Sequence, residues 1–238
     1  MHIPVYSWVI AMINFEAALK KPFSDAQKLM IGILLNIIPI VNWIARGYAM
    51  ECSGVGSYKK SNSMPAWKNL GDFFMKGLMS VVIRLVYALP AVLVIALGAG
   101  SFIISLMSVA ARTMMPLRIG RPTMIMSNVF QAILPELPKL VLIIVLALVL
   151  GLTAGYLIPM ATLSYLKKNK LGDAFNVGKV IQKTCTQDYF VSWIVVCLVS
   201  AVGFVIFSWI PLIGGAAVSF VVSVMGYTLF GKVYLKKS

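Results

Sequence analysis

Three apolar stretches of this chain close in the same way: a Gly-Tyr pair within the run, then a second tyrosine with paired lysines close behind. They are Gly47-Tyr48 with Tyr58-Lys59-Lys60, Gly155-Tyr156 with Tyr165-Leu166-Lys167-Lys168, and Gly226-Tyr227 with Tyr234-Leu235-Lys236-Lys237. Lysines at the end of an apolar run anchor a membrane segment on its cytoplasmic side, so the recurrence constrains architecture and orientation together. Composition agrees: the chain is 60% hydrophobic and 12% charged, with a mean hydropathy of +0.92. A soluble chain of 238 residues has nowhere to bury so much apolar surface. The expectation is an all-α, polytopic membrane protein with the bilayer as solvent.

The net charge of +14 raises nucleic acid as a partner. The basic residues sit at the ends of apolar runs, however, with no separate polar domain to present them to RNA or DNA. Membrane lipids with anionic headgroups are the expected partners instead. Cys52, Cys185 and Cys197 lack a CxxC spacing, and His2 is the single histidine. No zinc, haem or iron–sulfur ligand set can be drawn from that inventory, and no cofactor is expected. The N-terminus has no cationic start and no small-residue cleavage site, so the first membrane segments are expected to do the targeting.

Val5, Trp8, Val9, Met12 and Ile13 fall at helical spacing and predict an amphipathic helix in the membrane interface. An apolar run then starts at Phe23-Ser24-Asp25, is interrupted at Pro39, and continues to about Ser57. Each limb is roughly 15 to 19 residues, short for a span that needs about 20. Lysines flank both ends, which favours a hairpin turning at Pro39, either as two spans or as a re-entrant loop.

Leu70-Gly71-Asp72 with Phe74 recurs as Leu171-Gly172-Asp173 with Phe175, and Asp72 and Asp173 are expected to cap interfacial helices. The stretch from Leu78 to Ala111 contains Arg84 and Pro90 and exceeds one span, so the crossing is expected from about Tyr87. Leu140 to Tyr165 crosses back, and Tyr189 to Tyr234 forms a last hairpin turning at Pro211. Its tip, Ile210-Pro211-Leu212-Ile213, looks like Ile38-Pro39-Ile40-Val41 in the first.

The expected architecture is three transmembrane helical hairpins with six membrane limbs and interfacial amphipathic helices. It forms a single domain, 1–238, with repeat units 1–60, 61–168 and 169–238. Both termini are expected on the cytoplasmic side of the plasma (inner) membrane, with uncharged tips outside. Of 21 lysines and arginines, only Arg112, Arg118, Arg121 and Lys139 fall in the outer loops, with Arg84 near or in the membrane.

Several of these residues form an ordered set: Phe23-Ser24-Asp25, Ile38-Pro39-Ile40-Val41-Asn42, Gly47-Tyr48, Pro65-Ala66-Trp67, Asp72-Phe73-Phe74, Gly77-Leu78 and Tyr87-Ala88-Leu89-Pro90. This set resembles the prokaryotic membrane family called domain of unknown function 4013, over roughly residues 17 to 91. The resemblance implies a multi-helix integral membrane protein and carries over no catalytic residue.

The polar residues within apolar runs are the candidate sites: Asn36, Asn42, Arg46, Glu51 and Arg84. Charge at membrane depth is costly and commonly faces a bundle interior or an aqueous cavity. Arg46 and Glu51, five apart, are poorly spaced to pair on one helix. Arg46 can snorkel to the cytoplasm and Glu51 can pair with Arg84, or the set can face a substrate or ion. Gly151 and Gly155 have the spacing of a close helix approach, expected within the chain rather than at a dimer face. A lone terminal histidine rules out a His-based triad, phosphate-loop spacing is missing, and no enzyme is expected. Two function classes remain: a membrane binding or permeation module for lipid, ion or small solute, and a structural or accessory subunit that docks a partner or self-associates.

Overall fold

The computed structural model describes residues 15–58, 63–114, 130, 134–207 and 209–236. Most of the expected N-terminal interfacial helix lies outside the described residues, as do Lys59, Lys60 and Lys237 and the loop bearing Arg118 and Arg121. Among the described residues every regular element is helical.

Helix α1 (Ala26–Ile37) starts where the Asp25 side chain accepts the Lys28 N–H at 3.1 Å. It ends at Ile38, whose extended backbone is what a residue before proline adopts. The chain reverses over Pro39 and Ile40 into α2 (Asn42–Glu51). At this tip the Val41 N–H donates to the Pro39 carbonyl at 2.8 Å and the Asn42 N–H to the Ile38 carbonyl at 3.0 Å.

The other Pro-centred tip repeats these bonds: Ile213 N–H to Pro211 O at 2.7 Å and Gly214 N–H to Ile210 O at 3.1 Å. Ile40 and Leu212 consequently take left-handed φ values of 69° and 63°. For residues with large side chains that backbone costs roughly 1–3 kcal/mol. The likeness of the two tetrapeptides in sequence is thus also a likeness of backbone.

The remaining helices are α3 (Leu70–Met114), α4 (Leu137–Lys168), α5 (Leu171–Ala174), α6 (Val177–Thr184), α7 (Gln187–Phe207) and α8 (Ile213–Lys236). Asn176 caps α6 by accepting the Lys179 N–H at 3.3 Å. Four stretches among the described residues are long and apolar enough to cross a membrane: Leu70–Ser108, Leu134–Lys168, Gln187–Phe207 and Ile213–Lys236. At 12 and 10 residues, α1 and α2 are shorter than a span.

By its contacts the chain divides into two compact units, Met1–Arg84 with Tyr156–Ser238, and Leu85–Gly155. In the first, α8 is the axis, packed against α7, α1 and α2. The Asn36 side-chain amide donates to the Ala216 carbonyl at 2.9 Å near one end of α8, and Thr228 Oγ1 reaches the Cys52 carbonyl at 3.3 Å towards the other. Gly231 meets Ser53 one turn further on. The α1–α2 hairpin therefore lies along α8 for about 23 Å, at 1.5 Å per residue. On α7, Leu198, Val202 and Val205 are exposed, a flank suited to acyl chains.

Helices α2 and α3 meet backbone to backbone. A Cβ on Gly47 would collide with the Phe73 carbonyl, and one on Gly77 with the Trp43 carbonyl. In the second unit, α3 and α4 residues enclose an open apolar cleft of about 520 Å³, lined by Ile95, Phe102, Ile144 and Leu148 among others. A Cβ on Gly151 or Gly155 would meet nothing within 4 Å among the described residues, so no close helix approach within that unit uses their spacing.

Gly47→Ala and Gly77→Ala should each destabilise the protein by about 1–3 kcal/mol, because two backbones must separate to admit a methyl group. Gly151→Ala should be neutral or stabilising by up to about 1 kcal/mol through helix propensity. Thermal unfolding of the three variants in detergent checks the contrast.

Candidate functional site

The loop that follows α2 is sealed by buried charge. Glu51, 2% exposed, accepts from Lys76 Nζ at 2.5 Å and from the Tyr58 N–H at 3.0 Å. Lys76 also reaches Asp72 at 2.6 Å, one turn back on α3. Lys21, equally buried, donates to the Cys52 carbonyl at 2.6 Å. Burial pushes the Lys21 ammonium below the usual lysine range, and neighbouring Lys232 adds to the effect. The same burial pushes the Cys52 thiol up to about 12. This layer is a lock: Glu51 and Lys76 are paired, and the buried Lys21 ammonium is held on a backbone carbonyl.

An aromatic cluster holds the next loop over it. Tyr48 donates to the Pro65 carbonyl at 2.8 Å and stacks on Trp67 with ring centroids 3.8 Å apart. Phe73 meets both rings edge-on, at 5.5 and 6.0 Å. Gly-Tyr, Pro-Ala-Trp and Asp-Phe-Phe, separate motifs in the sequence, are here one packed body.

Closer to the tip stands a different kind of site. Arg46 on α2 and Arg84 on α3 are part-buried, and their charges are close enough to repel. Helical side chains lean towards the helix N-terminus. Helix α2 runs from tip to lock and α3 runs away from the lock, so the two guanidinium groups lean towards one another. Arg46 is five residues from Glu51 and Arg84 eight from Lys76, or about 8 and 12 Å along their helices. Asn42 stands one turn tipward of Arg46 on the same face. Asn42 Oδ1 and Arg84 Nε are buried without a hydrogen-bond partner.

Among the described residues no Asp or Glu side chain is left over for these arginines. All seven acids are described, and each is paired with lysine: Glu16 with Lys20, Asp25 with Lys28, Glu51 and Asp72 with Lys76, Glu136 with Lys139, Asp173 with Lys168, and Asp188 with Lys236.

These placements correct several sequence expectations. Glu51 pairs with Lys76 and not with Arg84, because the α2–α3 crossing puts Lys76 opposite the last turn of α2. Asn36 is spent on the α8 backbone. Asp72 lies within the first turn of α3 and its carboxylate holds Lys76, so it is not an N-cap. Asp173 lies within α5, whose N-cap position is Lys170 with no side-chain bond, because the helix begins two residues earlier. The side chains found capping are Asp25, Asn176 and Thr186, the last accepting the Tyr189 N–H at 3.3 Å. Lys76 was missed, although an ammonium four residues after Asp72 in an increasingly apolar segment was a readable signal. Among the described residues, no group of three or more His, Cys, Asp or Glu could hold a metal.

Four helices among the described residues are long and apolar enough to cross a bilayer, which fits a multi-pass α-helical membrane protein. The family described as "Protein of unknown function (DUF4013)" matches residues 30–212, and the chain belongs to that family. No curated protein and no solved structure matches it.

Lys76→Met strands Glu51 in the interior and should cost about 3–5 kcal/mol. Glu51→Gln, which leaves Lys76 its half-exposed Asp72, should cost less, and the double variant should be more stable than Lys76→Met alone. Thermal melts of the three give the order. Cys52 should resist a maleimide until the protein is unfolded, while exposed Cys185 reacts in the native state. Mass spectrometry of the labelled peptides separates the two.

Proposed function

We infer that this protein is a non-enzymatic, membrane-embedded binding module for an anionic group carried by a membrane lipid, held between Arg46 and Arg84. One observation carries the reading: two adjacent part-buried guanidinium groups stand in a chain whose every carboxylate is already taken by a lysine. Uncompensated charge away from water is expensive, and two like charges compound the cost. A phosphate relieves both, since arginine offers it paired, planar donors. Its natural source is an anionic lipid whose headgroup reaches below the level of the lysine-rich end. That end is cytoplasmic in this reading, by the same bias of lysines that orients membrane proteins generally, and the membrane is the plasma membrane.

Permeation gains less support, because Glu51, the acid expected to line a pathway, is closed into the Lys76 lock. The accessory-subunit reading rests on the exposed flank of α7, and acyl chains cover such a flank without a protein partner.

The test is thermal unfolding in zwitterionic detergent with phosphatidylglycerol, phosphatidylcholine or inorganic phosphate added. At about 100 times its dissociation constant a ligand adds about 2.7 kcal/mol. For a chain of this size that amounts to roughly 5–10 °C. Phosphatidylglycerol should produce this shift in the wild type and lose it in Arg46→Gln and Arg84→Gln. Without lipid, each variant should melt at or above the wild type, because repulsion is relieved. An equal shift from inorganic phosphate alone would assign the site to a free anion. A wild type indifferent to all three additives would sink the reading.

A further inference from the structure

We propose that the two Pro-centred tips, 38–41 and 210–213, form one apolar cap that ends within the hydrocarbon of the distal leaflet, in contact with acyl chains and not with water. The sequence expectation placed these tips outside. The inference rests on the membrane reading but is independent of the arginine site.

Four observations converge on it. First, the tips lie at one level: the Asn36 side chain, two residues before Ile38, bonds the Ala216 carbonyl, three residues beyond Ile213. Second, their outward side chains are large and apolar. Ile38, Ile40, Trp209, Leu212 and Ile213 are all exposed, Trp209 by 80% and Leu212 by 79%. No charged residue stands between Lys28 and Arg46, or between Asp188 and Lys232.

Third, both turns make the same two backbone bonds across themselves. Proline brings no N–H, and the two N–H groups following the left-handed residue donate back across the turn, at 2.7–3.1 Å in the two tips. A turn in water has no need of such closure, because solvent satisfies its groups. A turn in hydrocarbon does need it. Fourth, the closure is made with Ile40 and Leu212 at φ 69° and 63°, where glycine would be relaxed. A large apolar side chain offsets that strain only if it is transferred out of water, and among the described residues most of each side chain is left uncovered. The remaining apolar medium is lipid.

Two measurements on the full-length protein in liposomes test the proposal. In the first, Ile40→Cys and Leu212→Cys are made separately in a chain with Cys52, Cys185 and Cys197 replaced, and exposed to a charged, membrane-impermeant maleimide on both faces. Labelling should be at least about tenfold slower than in detergent, since thiolate formation and the reagent both require water. The second needs no new cysteine. The Trp209 emission, taken as wild type minus Trp209→Phe, should be quenched by lipids brominated on the acyl chain and spared by aqueous iodide. Labelling of either tip at its detergent rate, or iodide quenching of Trp209 as strong as that of free indole, would place the tips in water and overturn the proposal.

Discussion

The approach of α2 to α3 is the contact on which the rest of the larger unit depends. Two glycines, one on each helix, bring the backbones together at Phe73 and Trp43. The spacing sets the register of everything nearby. It puts Lys76 within 2.5 Å of Glu51, brings Phe73 edge-on to Tyr48 and Trp67, and leaves Arg84 leaning towards Arg46. A wider crossing would separate the lock, and Glu51 would then be an isolated carboxylate in an apolar interior. Close backbone contact and buried charge are here one device, since the ion pair is tolerable only at the distance the glycines permit.

The pairing of charges across the chain follows a division of labour. Lysines, compact and mobile, neutralise all seven acids, including both members of the central Glu51–Lys76–Asp72 group. Arg46 and Arg84, planar and suited to two-pronged contacts with oxyanions, take none of them. The protein's own carboxylates are thus matched by lysine throughout.

Much of the architecture was legible in the residues. Long apolar runs ending in lysine gave the crossing helices, Pro39 gave the first reversal, and two similar Pro tetrapeptides gave two similar turns. The Gly-Tyr, Pro-Ala-Trp and Asp-Phe-Phe motifs carried the resemblance to the family. What joined them, a Tyr48–Trp67 stack across a loop, has no periodicity from which to be read. The same limit applied to the site. Arg46, Arg84 and Asn42 could be singled out because polar groups in apolar runs are costly. Their separation from Glu51 could not be read, because it depends on which face of α3 the glycines present. The helix caps were misplaced at Asp72 and Asp173 because a Leu-Gly pair reads as loop, whereas both helices begin at that leucine.

The bond from Thr228 to the Cys52 carbonyl spans 176 positions of sequence. A ribosome adding ~5–20 residues per second takes roughly 10–35 s to cover that distance. Throughout that interval the α1–α2 hairpin is already made, and its long partner helix is not. Two limbs of 12 and 10 residues must wait with one side uncovered. The helix that covers the first hairpin is therefore made long after it, and the hairpin's uncovered side is open to other contacts in the meantime.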